Sequence, residues 1–251
     1  YQKEGILAGL RWHRFLIGDE PGLGKTLQSI GVVDCANAYP CLVVCPSSLK
    51  INWQREFEKF TNKKALVLDN SVLTTWPYLL RMGMQQVAAV NYESLRKYFV
   101  WDIKGGSRGG FRLKDVVFTP DIKLFRSIII DESHRVKDPS AQQTIFARGI
   151  AEGKEYRILL SGTPVVNRPA DLIAQLSIMG RLSEFGGRAK FLAEYGGGEI
   201  SKERRGKDED DAPRNLDRLS AELYARCMIR REKAKVLTQL PDKTRTDLIV
   251  D

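Results

Sequence analysis

Lys25 and Thr26 stand directly behind two closely spaced glycines in the run IGDEPGLGKTLQSI. Glycines at 22 and 24 let a backbone turn sharply and approach a ligand, so that successive N–H groups converge on anionic oxygens. The ammonium of Lys25 would supply a point charge for the β- and γ-phosphates of ATP, and the hydroxyl of Thr26 would be a ligand for Mg2+. Gly22, Leu23, Gly24, Lys25, Thr26 and Leu27 form the expected cradle, because an apolar strand precedes it and a helix follows, whose positive N-terminal end also favours phosphate. The strict pattern GxxxxGK[ST] would place glycine at position 19. Asp19 stands there, which argues against generic kinases and GTPases.

A second segment, SIIIDESH, sets two carboxylates after another apolar run. Asp131 would hold magnesium through water, and Glu132 would orient or deprotonate an attacking water. Lys25, Asp131 and Glu132 are therefore the catalytic candidates, with Thr26 and Asp131 as metal ligands. Adjacent acids also occur in plain turns, but here they supply the partner that a phosphate loop lacks. His134 is read two ways, as a bridge to a neighbouring loop or as a packing residue.

Elements with the right geometry surround both segments. Expected strands are RFLIG (14–18), CLVVC (41–45), ALVLD (65–69), QVAAV (86–90), SIIID (127–131) and YRILLS (156–161). Several are apolar at every position, as in strands covered on both faces. KTLQSIGVVDCANA, LKINWQREFEKF and SAQQTIFARGIAEG read as helices, the second with Leu49, Trp53, Phe57 and Phe60 at helical spacing. Strand–helix alternation predicts an α/β fold with a doubly wound parallel sheet, its functional loops at the carboxyl ends of the strands. Residues 98–125, with GGSRGG between two strand-like arms, read either as an inserted β-hairpin carrying Lys104, Arg108, Arg112 and Lys114 or as a solvated loop. The stretch 170–232 reads as a helical protrusion, with a glycine-rich, charged surface loop at 196–215. Residues 1–169 would form the core, and 233–251 a link beyond it.

Composition narrows the class of partner. Lys and Arg number 40 against 31 Asp and Glu, and a net charge of +9 suits an anionic partner such as nucleic acid. Cys35, Cys41, Cys45 and Cys227 form no CxxC pair, and with two histidines a zinc site is not expected. Cys41 and Cys45 read as buried strand residues. No run of eighteen apolar residues or signal-peptide pattern exists, so no membrane partner is expected. The expected location is nuclear in a eukaryote and cytoplasmic in a bacterium or phage. An opening at Tyr1 and an apolar close suggest a piece of a longer chain.

Seven segments, in order, resemble the Swi/Snf-type DNA-dependent ATPases of helicase superfamily two. YQKEGI is similar to the family's glutamine motif, in which Gln2 would read adenine. DEPGLGKT resembles DExGLGKT, where an aspartate at position 19 belongs. VVCPSSLKINWQREF and NYESL resemble two segments that touch DNA, which implies roles for Pro46, Ser47, Ser48, Lys50, Asn91 and Tyr92. Residues such as Ser47, Ser48 and Asn91 also cap helices, and a capped N-terminus is itself a phosphate site. DESH resembles a DEAH-like box. LLSGTPVVNRPADL resembles the motif that couples hydrolysis to DNA, which assigns coupling to His134, Ser161, Gly162 and Thr163. MIRREKAKVLTQLPDKTR resembles the link out of a first RecA-like lobe. The spelling SGTPxxxRPxDL resembles the annealing-helicase branch, although Asn167 keeps part of the commoner TGTPxxN form and GGG replaces expected aromatic and basic residues near Tyr195.

The resemblance implies a RecA-like lobe binding ATP and Mg2+, with duplex or forked DNA and a second RecA-like lobe carrying arginine fingers as partners. It implies an ATP hydrolase that is nearly inactive as an isolated lobe. Alternatives are a lobe of a strand-separating DNA or RNA helicase or restriction-type motor, and a catalytically inactive scaffold. Intact Lys25, Thr26, Asp131 and Glu132 argue against the scaffold.

Overall fold

Helix α1 (Gln2–Trp12) leads into β1 (Arg14–Ile17), followed by α2 (Lys25–Cys35), β2 (Cys41–Cys45), α3 (Lys50–Phe60), β3 (Ala65–Val67), α4 (Trp76–Arg81), β4 (Val87–Asn91) and α5 (Leu95–Phe99). Then come β5 (Val100–Ile103), β6 (Val116–Phe118), β7 (Ser127–Ile130), α6 (Gln142–Ala151), β8 (Tyr156–Leu160), α7 (Asp171–Met179), α8 (Gly187–Tyr195), α9 (Leu216–Arg226), β9 (Met228–Ile229) and α10 (Lys233–Val236). The computed structural model describes residues 1–104, 111–163, 168–196, 213–237 and 239. The GGSRGG turn with Arg108, most of the 196–215 charged loop, Asn167 with its neighbours 164–166, and most of the 233–251 link lie outside the described residues.

Seven strands form one sheet in the order β3-β4-β2-β7-β8-β1-β9, and every pairing is parallel. The period-2 alternation of strand side chains sorts the all-apolar runs into two cores. Leu16, Leu42, Val44, Ala88, Val90, Ile128, Ile130 and Leu159 face one core, shared with α5, α6 and α7. Phe15, Ile17, Val43, Ala89, Ile129, Ile158 and Leu160 face the other, closed by Ile30, Val32 and Val33 of α2 and by Trp53 and Phe57 of α3. Burying each such large side chain contributes about 1.5–3 kcal/mol, and a polar strand residue is accommodated where it finds a partner, as Ser127 Oγ does by donating to the Ala38 carbonyl at 2.6 Å. Cys41 and Cys45 are fully buried within this scheme, and burial pushes both thiols up to about 12.

Several expectations shift. On α3 only Trp53 and Phe57 are buried. Phe60, the last residue of that helix, is 40% exposed beneath the Lys59 ammonium. The arms of the 98–125 insert pair as an antiparallel ladder, from Val100↔Phe118 to Ile103↔Val116. The stretch 170–232 is neither wholly helical nor a simple protrusion. Leu172, Leu176, Phe191, Leu219 and Leu223 belong to the same core as the strands. Its end returns to the sheet as β9, a two-residue strand beside β1 that is too short to show a pattern.

Candidate functional site

Because all seven strands are parallel, the loops that leave them share one rim. Along that rim the order is Asn91–Tyr92 after β4, Pro46–Lys50 after β2, Asp131–His134 after β7, Ser161–Thr163 after β8, Asp19–Thr26 after β1, and Arg230–Lys233 after β9. Chain connectivity produces this order. From β1 the chain jumps outward to β2, builds the far edge, and returns through β7 and β8 to fill the gap. The crevice at such a reversal is where open α/β sheets bind ligands.

The phosphate loop has the conformation that its glycines permit. Gly22 and Gly24 have φ of 90° and 72°, in the left-handed region that costs other residues. A Cβ on Gly24 would collide with Nε2 of Gln2, so the first helix lies against the loop. Leu23 is fully buried and contributes only its backbone to the rim. Thr26 and Leu27 lie in the first turn of α2, where N–H groups lack intrahelical partners. Lys25 Nζ donates to the Asp19 carbonyl at 2.8 Å.

Asp131 is held from three sides. Trp53 Nε1 donates to Oδ2 at 2.9 Å, the Glu132 N–H donates to Oδ1 at 2.9 Å, and the Tyr92 hydroxyl donates to the backbone carbonyl. Burial raises the Asp131 pKa, the Trp53 bond opposes that, and Glu132 adds to it. Glu132 has φ 52° and ψ 50°, a left-handed conformation that is rare for a residue with a side chain. His134 Nδ1 lies 3.3 Å from Glu132 Oε2 and 3.2 Å from Ser161 Oγ, so the bridging geometry forms. Ser161 Oγ in turn accepts from Thr163 N at 3.1 Å. A Cβ on Gly162 would lie 3.3 Å from Pro21 and 3.9 Å from Lys25 Nζ, so this loop abuts the phosphate loop.

Electrostatics tie the two halves together. Burial lowers the Lys25 pKa, and Glu132, Asp19 and Asp131 in turn raise it, Glu132 most. The lysine and the acidic pair therefore share one field, as one polyphosphate–metal site requires. The donor set fits that group. Among the described residues no cluster of three or more His, Cys, Asp or Glu could hold a metal. Mg2+ is commonly held by one or two carboxylates and substrate phosphates, and Thr26 with Asp131 match that arrangement. Each Asp131 oxygen also keeps a free acceptor position.

Farther along the rim, Ser47, Lys50 and Asn91 line one open groove of about 520 Å³ together with Asp69, Asn70, Ser71, Ser94, Lys97 and Tyr98. Ser48 is exposed beside it and Pro46 is half-buried. Neither serine nor Asn91 caps a helix through its side chain. Asn91 Nδ2 donates instead to Glu93 at 2.8 Å, and Lys50 Nζ to the Leu68 carbonyl at 3.1 Å. Tyr92 does not join the groove. It is 1% exposed, and its hydroxyl points at Asp131, away from any ligand of the groove. Sequence reasoning missed Lys97 and Asn70, which the fold alone brings to Lys50. It read Trp53 as core only, although a buried indole N–H needs a partner.

It also missed the clasp on Asp19. This carboxylate is fully buried, and it accepts from Arg231 N and Nε on Oδ1 at 3.0 and 3.1 Å, and from Arg231 Nη2 and Gln28 Nε2 on Oδ2 at 2.9 and 3.0 Å. Asp19, where the strict phosphate-loop pattern has glycine, thereby anchors the loop to the segment that follows β9.

A parallel sheet with a glycine phosphate loop and an acidic pair at one rim defines a P-loop nucleotide-binding lobe of RecA-like type. The SNF2-related domain family matches residues 1–251, and the chain belongs to that family. A Caenorhabditis elegans protein named as a homolog of SWI/SNF-related matrix-associated actin-dependent regulator of chromatin subfamily A-like protein 1 is 32% identical over 98% of this chain and 32% of its own length. Human DNA annealing helicase and endonuclease ZRANB3 is 30% identical over all of this chain and 22% of its own. The chain thus spans a third or less of these relatives. In fold it is similar to the Sulfolobus solfataricus SWI2/SNF2 ATPase core in complex with dsDNA, with TM-score 0.66 and 23% identity over 96% of this chain and 46% of that one.

Proposed function

We propose that this chain is the ATP-binding lobe of a DNA-dependent ATPase that moves along duplex DNA. The observation that carries the reading is the shared rim, on which Lys25 lies in the field of Glu132 and Asp131 while the Lys50–Asn91 groove opens farther along. Lys25 and the loop N–H groups bind the phosphates, with Gln2 beside Gly24 on the side of the base. Thr26 and Asp131 would hold Mg2+, which would supply neutralisation of charge on the phosphates. Glu132 orients the attacking water and takes its proton, and His134 connects Glu132 to Ser161. The groove holds a phosphate backbone without reading bases.

Relatives named as annealing helicases, and a similar fold solved with dsDNA, support DNA as the partner. The resemblance to the family supports a second lobe whose arginines reach the γ-phosphate, worth roughly three to five orders of magnitude in rate. The isolated chain should therefore bind ATP weakly and hydrolyse it slowly. The test is ATP turnover by the full-length protein with and without duplex DNA, alongside a strand-displacement assay. Duplex-stimulated turnover without strand separation is expected. Turnover indifferent to DNA, or efficient unwinding, contradicts the reading.

A further inference from the structure

Lys233 occupies a place on the phosphate loop that no motif assigns to it. Beyond β9 the chain runs alongside the loop. Glu20 N donates to the Arg231 carbonyl at 3.1 Å, and Lys233 N donates to Glu20 Oε2 at 2.7 Å. Arg231 locks this course through its bonds to Asp19 and a further bond from Nη2 to Gln28 Oε1 at 2.6 Å. A buried carboxylate with these charged donors is a rigid joint, because losing either partner strands the other's charge.

The joint delivers an ammonium to the loop. A Cβ on Gly22 would lie 3.0 Å from Lys233 Nζ and 3.2 Å from its Cε. Among the described residues Lys233 makes no ion pair, whereas its neighbour Lys235 pairs with Glu232 at 3.1 Å. Lys233 is half-buried, and its cation stands against a glycine turn shaped for an anion. An ammonium held there without a carboxylate gains its favourable partner when phosphate arrives.

We propose that Lys233 is a second lysine of the nucleotide site, contacting the polyphosphate of ATP or ADP from the exit side of the loop. This rests on reading the loop as a nucleotide site. Because Lys233 stands on the segment leading away from the sheet, the contact also makes that segment's position depend on bound nucleotide, and the dependence is reciprocal.

The experiment titrates fluorescent ATP and ADP analogues into the full-length protein, comparing wild type, Lys25→Ala, Lys233→Ala, Lys233→Arg and Lys235→Ala. Thermal unfolding without nucleotide is recorded for each. Lys233→Ala should weaken both nucleotides about tenfold, the scale of one lost charged hydrogen bond. Lys233→Arg should restore most of the affinity, Lys235→Ala should bind as wild type, and nucleotide-free unfolding of Lys233→Ala should be unchanged. Wild-type affinity in Lys233→Ala, with binding abolished in Lys25→Ala, overturns the proposal and leaves the loop reading intact. Wild-type affinity in Lys25→Ala overturns both. Weakened binding matched by a lowered nucleotide-free unfolding temperature, without rescue by arginine, reduces Lys233 to a structural residue and also overturns the proposal.

Discussion

Trp53 Nε1 lies 2.9 Å from Asp131 Oδ2, so a helix that begins at the groove donates a hydrogen bond to the first carboxylate of the acidic pair. The same helix starts at Lys50, and Tyr92, whose hydroxyl reaches the Asp131 carbonyl, directly follows Asn91. Two of the three segments that line the groove, the one entering α3 and the one leaving β4, therefore also hold Asp131, whereas the 68–71 segment does not. A displacement of either one by a ligand in the groove must be felt at the acidic pair.

Trp53→Phe separates this bond from packing. Burial holds the Asp131 pKa up, and the Trp53 bond is the strongest opposing influence. Removing that donor raises the folded-state pKa further. In the proposed role Asp131 would hold Mg2+ and must be deprotonated to do so, so activity should be lost at a higher pH as pH falls. The acid limb of the ATPase pH profile should move to higher pH in Trp53→Phe, with a stability cost of about 1–2 kcal/mol in denaturant titrations. An acid limb that stays in place contradicts the role of this bond.

Glu132 holds a left-handed backbone at φ 52°, a conformation that costs on the order of 1–3 kcal/mol and persists only where surroundings enforce it. The cost is consistent with aiming a carboxylate at the rim. Glu132→Gln in the full-length protein should keep ATP affinity while turnover falls by roughly 10²- to 10⁴-fold, the range for a positioned general base. Equal losses in affinity and turnover would assign Glu132 to binding instead.

Among the described residues, Lys50 and Lys97 are the two cations lining the groove. Asp69 lies between the same walls, and its carboxyl is held low by hydrogen bonds from Ser71, so the groove also carries one fixed negative charge. Lys50→Ala and Lys97→Ala should each weaken duplex binding about equally across unrelated sequences. Each should reduce the slope of log affinity against log salt by roughly one. An unchanged slope moves the duplex elsewhere.

Lys154 is 6% exposed, donates to the carbonyls of Ile122 and Phe125 at 2.7 and 3.3 Å, and has its pKa lowered to about 8, chiefly by burial. Between about 8 and the ordinary 10.5 the unfolded chain holds this proton and the folded chain does not. Stability therefore rises with pH across that window as the cost of a buried cation is relieved. Referred to Lys154→Met, which cancels the other titrations, the wild type should gain up to about 3 kcal/mol between pH 8 and 10.5 in urea unfolding. A flat difference contradicts the burial.

The phosphate loop and the acidic pair were legible because each is a contiguous strand-to-turn signal with its chemistry in adjacent residues. The parallel sheet was legible because all-apolar runs require cover on both faces. The clasp between Asp19 and Arg231 spans 212 positions and the Trp53–Asp131 bond spans 78, and no local pattern encodes either. Strand β9 has two residues, and pairing with β1, not its own propensity, makes it a strand. Asn91 and the serines at 47 and 48 fit the expected capping types, yet the adjoining 3-10 turns and α3 start without side-chain caps. The DNA-contact role that the NYESL resemblance implies for Tyr92 does not agree with its ring, which is buried and directs its hydroxyl at the Asp131 carbonyl, because a buried aromatic ring takes apolar cover first.

The most direct measurement is a crystal structure of the full-length protein with magnesium and a non-hydrolysable ATP analogue. One ion should sit at about 2.0–2.1 Å from Thr26 Oγ1 with Asp131 reaching it through water, and the triphosphate should lie on the 22–26 turn. A nucleotide bound at another edge of the sheet, or an ion out of reach of Asp131, contradicts the account.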